Sequence, residues 1–195
     1  MSAILVRNTS RGVLETSYLA QCAWYVMTSD ASKEGADIPG MGGYFCSLWW
    51  TIPLQGWLWE VTIPALELVT FAVNLIPFES VVDQLLRNEY AEVIAFIDAQ
   101  ASPQLLIKEG TTSRTMSRVL SVVQKLTQYQ KFKSRLSVAH TYGEGNGASD
   151  CSSRGKFKQL GLYCAQIGVR ARQLSIKSQV EDFLEDVRLE WDSLF

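Results

Sequence analysis

Residues 23–31 read Ala-Trp-Tyr-Val-Met-Thr-Ser-Asp-Ala, an apolar, β-prone run that ends on a single carboxylate, Asp30. A polar break follows, Ser32-Lys33-Glu34-Gly35, and then a second β-prone run, Gly43-Tyr44-Phe45-Cys46-Ser47-Leu48-Trp49-Trp50. Apolar runs of this length, bounded by turn residues, predict two strands. An aspartate closing the first is either a turn former or a carboxylate held on a rigid strand. Where the other acids fall bears on that choice. Ala91-Glu92-Val93-Ile94-Ala95-Phe96-Ile97 is the most convincing strand in the chain, and it too ends on an acid, Asp98.

The surrounding chain supplies elements of both kinds. The segment from Gly35 to Gly43, with Pro39 and further glycines, reads as a loop longer than a tight hairpin needs. Trp57-Leu58-Trp59-Glu60-Val61 is a candidate third strand. Ile63-Pro64-Ala65-Leu66 opens a helix, because proline suits a first turn whose N–H would be unpaired anyway. Leu66, Val69, Val73 and Ile76 follow at helical spacing until Pro77. Glu67 stands among those apolar neighbours, and a favourable dipole interaction of a few tenths of a kcal/mol explains it poorly. Residues 79–90 form a polar connection with at least one helical turn. A second helix starts right after Asp98, and Leu136-Ser137-Val138-Ala139-His140 is a short last strand. An initial three-strand meander followed by βαβα alternation predicts an α/β domain with a mixed five-stranded sheet flanked by helices.

The chain has 195 residues, 47% apolar and 19% charged, enough for a real core in one domain with added segments. A net charge of −2 permits no argument from the whole molecule, so local charge matters more. Between Thr111 and His140 there are six bases (Arg114, Arg118, Lys125, Lys131, Lys133, Arg135) and no acid. That run is either a solvated helix face or a positive field suited to phosphates. Gly143-Glu144-Gly145-Asn146-Gly147 lacks phosphate-loop spacing and reads as a flexible loop before a helix starting near Asp150. Residues 1–20 form a leader, residues 20–154 the domain, and residues 155–195 a helical tail. The tail carries a basic Arg170-Ala171-Arg172 and then an acidic amphipathic run, with six acids against two bases from Ile176 to Phe195. Four cysteines without a CxxC pair, and no secretory apolar segment, predict reduced thiols in an intracellular protein. Polar breaks at Gln55, Glu60 and Glu67 argue against a membrane span.

Four segments, in this order, resemble the ribonuclease H domains of retroelement reverse transcriptases. They are Thr28-Ser29-Asp30-Ala31-Ser32, Ala65-Leu66-Glu67-Leu68, Phe96-Ile97-Asp98-Ala99-Gln100, and His140-Thr141-Tyr142-Gly143 continuing through Asn146-Gly147-Ala148-Ser149-Asp150-Cys151-Ser152-Ser153-Arg154. The last is similar to an H-x-x-G…N-x-x-A-D-x-x-S-R pattern. The resemblance covers residues 20–154 and implies a ribonuclease H-like fold. It also implies that Asp30, Glu67, Asp98 and Asp150 bind two Mg²⁺ ions, with Mn²⁺ as a substitute, and cut the RNA strand of RNA/DNA hybrids. Two-metal phosphodiester hydrolysis needs hard oxygen ligands around ions roughly 3.5–4 Å apart, and carboxylates supply them without attracting softer metals.

Ser32, Gln100 and Asn146, beside the acids, are candidate groove contacts, with local turns and caps as the competing reading. Arg114, Arg118 and Lys125 are candidate phosphate contacts. Many relatives carry a histidine shortly before the last acid; here that place, after Gly143, is taken by Glu144. His140 is therefore a candidate auxiliary group or a structural residue. Gly147 stands where relatives often have glutamate. A reverse transcriptase polymerase domain is the partner expected in a parent polyprotein. Two other readings stay open: a resolvase- or transposase-like DNA nuclease on the same fold, and an inactive nucleic-acid-binding or interaction domain.

Overall fold

A computed structural model describes residues 23–98, 101–108, 110–141 and 143–194. Its elements run β1 (Ala23–Ser32), β2 (Gly40–Phe45), β3 (Leu48–Pro53), α1 (Ile63–Leu75), α2 (Glu79–Leu85), β4 (Ala91–Ile97), α3 (Ala101–Lys108) and α4 (Arg114–Lys125). They continue with α5 (Thr127–Phe132), β5 (Leu136–His140), α6 (Gly147–Ser153), α7 (Phe157–Gln166), β6 (Arg172–Gln173) and α8 (Lys177–Asp192). The sheet order is β5-β4-β1-β2-β3-β6. β1, β2 and β3 form the antiparallel meander, and β4 and β5 add in parallel beside β1. This is the α/β arrangement the sequence predicts, with one correction. The sheet has six strands rather than five, because Arg172–Gln173 pairs in parallel with Leu48 and Trp49. Two residues are too few to leave a periodic signal.

The meander differs from its sequence reading in three places. The run from Gly43 to Trp50 is two strands, folded at Cys46 and Ser47. Both residues have positive φ (49° and 65°), as a two-residue hairpin turn requires. Neither is a glycine, asparagine or aspartate, so the turn carries no sequence mark. Gly40, Gly42 and Gly43 are strand residues rather than loop. They are small because other groups sit against them: a Cβ at Gly42 would collide with Ser152 and with the Ser153 backbone nitrogen, and one at Gly43 with Asn74 and Trp50. Finally, Gly56–Trp59 is a 3₁₀ turn, and no strand forms there. Pro53 ends β3, Gly56 turns the chain with φ 54°, and of the apolar run Leu58 and Val61 are buried.

α1 lies across the sheet under α4 and α8, and every residue from Ala65 to Leu75 is buried. A helix that is apolar nearly all round suits such a sandwiched position. Its three polar side chains, Glu67, Thr70 and Asn74, recur at helical spacing and are buried with it. Asn74 Nδ2 donates to Thr28 O on β1 (2.8 Å), and Trp50 Nε1 donates to Asn74 Oδ1 (2.7 Å). These bonds fix the helix register against the sheet, each contributing about 1 kcal/mol net and costing more if one partner is left alone. The acidic C-terminal helix joins this core through Val180, Phe183, Val187 and Trp191. On the opposite face, α6 packs on β1 and β2 and in turn carries α7, with Trp49, Ala148, Cys151, Leu160 and Cys164 in a smaller core. Among the described residues, no single helix is long and apolar enough to cross a membrane.

Candidate active site

The parallel register sets the first two acids side by side. Ser29 pairs with Ile97, so Asp30 and Asp98 continue neighbouring strands at the same end of the sheet. Asp30 is 2% exposed, and its Oδ2 accepts a hydrogen bond from Ser153 Oγ at the end of α6. Glu67, also 2% exposed, reaches β1 from α1, where its Oε1 accepts from the backbone N–H of Ala31 (2.9 Å). Glu67 Oε2 is buried with no hydrogen-bond partner. Asp150, on α6, is partly exposed and pairs with Arg154 Nε one helical turn on (2.5 Å). Arg154 also donates to Glu34 O (2.9 Å), tying α6 to the loop after β1.

The electrostatics show that these groups share one field. Burial pushes the Asp30 carboxyl up from 3.8 to about 6, and the charges of Asp150 and Asp98 add to the rise. Ser153 and Arg154 oppose it by stabilising the anion. Burial, and then the neighbouring Asp30, push Glu67 well above the usual carboxylate range, against the Ala31 hydrogen bond. Asp98 acts on Glu67 in the same direction. Asp98 and Asp150 thus act on the buried Asp30, and Asp30 and Asp98 on Glu67; buried carboxyls perturbed by neighbouring acids mark a functional-site candidate.

The donors are of the hard oxygen kind that Mg²⁺ and Mn²⁺ take. They are carboxylate oxygens, and one of them is buried beside other acids without a partner. In the geometry as found, no group of three or more Asp, Glu, His or Cys side chains among the described residues could hold an ion together. Ser153 and Arg154 occupy oxygens of Asp30 and Asp150 for which a cation would compete.

The other sequence candidates divide. His140 stands beside Asp98, with Nε2 4.0 Å from Oδ1. Ser32 is buried and donates to Ser153 O (2.8 Å), so it braces β1 against α6 rather than facing a groove. Asn146 is buried too, with Nδ2 donating to Ser29 O (2.9 Å), while its Oδ1 has no partner. Gln100 lies outside the described residues. Arg114 and Lys125 are exposed on α4, but Arg118 pairs with Glu190 of α8 (3.1 Å). Lys131 pairs with Glu79 and Asp83, and Arg135 binds the carbonyls of Leu86, Asn88 and Ala91. Half of the bases in the acid-free run from Thr111 to His140 are thus bound by acids or carbonyls distant in sequence. The sequence reading missed Ser153 and Arg154 as site residues. Their spacing from Asp150, three and four residues on along one helix face, was the available signal.

No family model matches the chain, and no curated protein does. Among solved structures, the chain is similar to an RNase H1 isolated from compost by a metagenomic approach. The identity is 13% and the TM-score 0.47, over 69% of this chain and 97% of that one.

Proposed function

We propose that this protein is a divalent-metal-dependent nuclease of the ribonuclease H kind that hydrolyses the RNA strand of RNA/DNA hybrids. The observation that carries the reading is the convergence of Asp30, Glu67, Asp98 and Asp150, with a buried Glu67 oxygen left unpartnered. Asp30, Glu67, Asp98 and Asp150 would hold two Mg²⁺ ions, or Mn²⁺ in their place. When bound, the ions supply Lewis acidity to the attacking water and to the leaving 3′ oxygen.

The chain's own residues prepare that chemistry. β1 and β4 hold Asp30 and Asp98 on rigid strand ends, and α1 fixes Glu67 by the Ala31 bond. Ser153 and Arg154 favour the ionised form of Asp30, and Arg154 holds the Asp150 carboxylate in place through its Nε. His140, beside Asp98, is a candidate auxiliary group at that end of the sheet. Arg114 and Lys125 are candidate phosphate contacts. The sequence pattern around Asp150 supports a retroelement origin, with a reverse transcriptase polymerase domain as partner in the parent chain. The free thiols of Cys46, Cys151 and Cys164 suit a reducing compartment inside the cell.

A substrate panel tests the reading: RNA/DNA hybrid, duplex RNA, duplex DNA and branched DNA, each with Mg²⁺ or with chelator. Metal-dependent cutting confined to the RNA of the hybrid is expected. Cutting of branched or duplex DNA instead would move the protein to the resolvase or transposase side, and binding of the hybrid without any cutting would make it a binding domain.

A further inference from the structure

Residues 151–180 contain six bases (Arg154, Lys156, Lys158, Arg170, Arg172, Lys177) and no acid. This is the same imbalance as in the run from Thr111 to His140, where Arg118 and Lys131 find acid partners. Among the described residues, only Arg154 of these six makes an ion pair. Lys158, Arg170 and Arg172 are exposed. In a protein of net charge −2, exposed bases without an acid partner therefore stand on α7 (Lys158), on β6 (Arg172) and on the segment between them (Arg170).

The same region offers an aromatic wall. Trp49 of β3 and Phe157 of α7 lie against each other, with centroids 5.3 Å apart and planes at 31°. They line a recess of about 440 Å³ with Gly161, Val169 and Arg170. Phe157 is 39% exposed, and Trp49 behind it is buried. A Cβ at Gly161 would meet nothing within 4 Å. Glycine inside a helix costs about 0.5–1 kcal/mol relative to alanine, and no neighbour in the fold requires it here. α7 in turn lies against α6, the helix that carries Asp150: a Cβ at Gly147, which opens α6, would come within 3.1 Å of the Tyr163 ring.

We propose that α7 and β6 bind single-stranded nucleic acid, such as the extension of a hybrid beyond the candidate active site. Lys158, Arg170 and Arg172 contact phosphates, and Phe157 stacks a base over the recess. Aromatic stacking combined with a positive track is how proteins hold single strands without reading their sequence. An acidic protein would use the charges and leave the aromatic wall idle. The inference deepens the nuclease reading, resting on it for the source of the strand and on the charge and ring geometry for the site.

The test is fluorescence anisotropy in EDTA with a labelled oligodeoxythymidine of about 15 nucleotides, so that cleavage plays no part. Wild type is compared with Lys158→Glu/Arg170→Glu/Arg172→Glu and, separately, with Phe157→Ala. The triple variant is expected to bind at least about tenfold more weakly, with a log–log salt slope smaller by about 2, as loss of three phosphate contacts to a single strand requires. Phe157→Ala is expected to lose about tenfold on the oligonucleotide and nothing on an abasic chain of equal length. Unchanged affinity in the triple variant, absence of wild-type binding, or equal binding of polyglutamate would overturn the proposal. Failure to cut a hybrid, measured separately with Mg²⁺, would sink the nuclease reading and leave these binding results standing.

Discussion

Asp30→Asn should make the metal-free protein more stable at neutral pH and change little at pH 4. In the folded state the Asp30 carboxyl ionises at about 6, against 3.8 when free. Between those values the native protein holds a proton that the unfolded chain has released. Stability therefore falls as pH rises from about 4 through 6, and the loss is complete above that range. The difference corresponds to about 3 kcal/mol, an upper figure because local rearrangement can relieve part of it. Asparagine is neutral in both states and can still accept the hydrogen bond from Ser153. A gain of about 3 kcal/mol would raise the melting temperature by roughly 6–12 °C for a chain of this size. The assay is thermal unfolding in EDTA at pH 4 and pH 7.5, wild type beside the variant. A gap that is the same at both pH values, or a variant less stable at pH 7.5, would refute the claim that the buried carboxylate is held at a cost.

The cost should be relieved by the cation: saturating Mg²⁺ is expected to stabilise wild type by about 2.7 kcal/mol at a hundredfold excess over its dissociation constant and Asp30→Asn by much less, read as melting shifts at pH 7.5. Gly42→Ala should destabilise by about 1–3 kcal/mol, because its Cβ meets Ser152 and the Ser153 backbone; urea titration measures it, and a neutral result would mean α6 sits farther from β2. Asn74→Ala removes the acceptor of the Trp50 indole N–H and a donor to Thr28 O and should cost about 2–4 kcal/mol in the same assay. Arg118 and Glu190 are partly exposed, so a double-mutant cycle should find a coupling of about 1 kcal/mol or less that fades with added salt.

Sequence and structure agree where chemistry and periodicity point the same way. Asp30 and Asp98 each close a β-prone run, which the sequence shows; that the two runs pair in parallel and so set the acids side by side is seen only in the fold. Glu67 was conspicuous as an acid on an apolar helix, and burial is what its neighbours implied. The misreadings share a cause: they depended on what lies across space. Gly40, Gly42 and Gly43 looked like a loop because α6 and Asn74, which require their small size, come much later in the chain. The turn at Cys46 and Ser47 is imposed by strand pairing and not by its own residues. The bases between Thr111 and His140 looked uncompensated because Glu79, Asp83 and Glu190, which pair with Lys131 and Arg118, lie outside the run. Ser32 and Asn146 sit beside acids in sequence yet turn inward, where they bond to backbone carbonyls.

The central claim is that the clustered carboxylates form one metal-dependent cutting site. Its most direct test labels both strands of an RNA/DNA hybrid and compares wild type with Asp98→Asn in Mg²⁺. Asp98 is partly exposed at a strand end, so the variant should fold. The account predicts cutting of the RNA strand alone by wild type and a loss of at least about a hundredfold in the variant, as expected for removal of a group acting directly on transition-state charge. Equal cutting by the two proteins would contradict it.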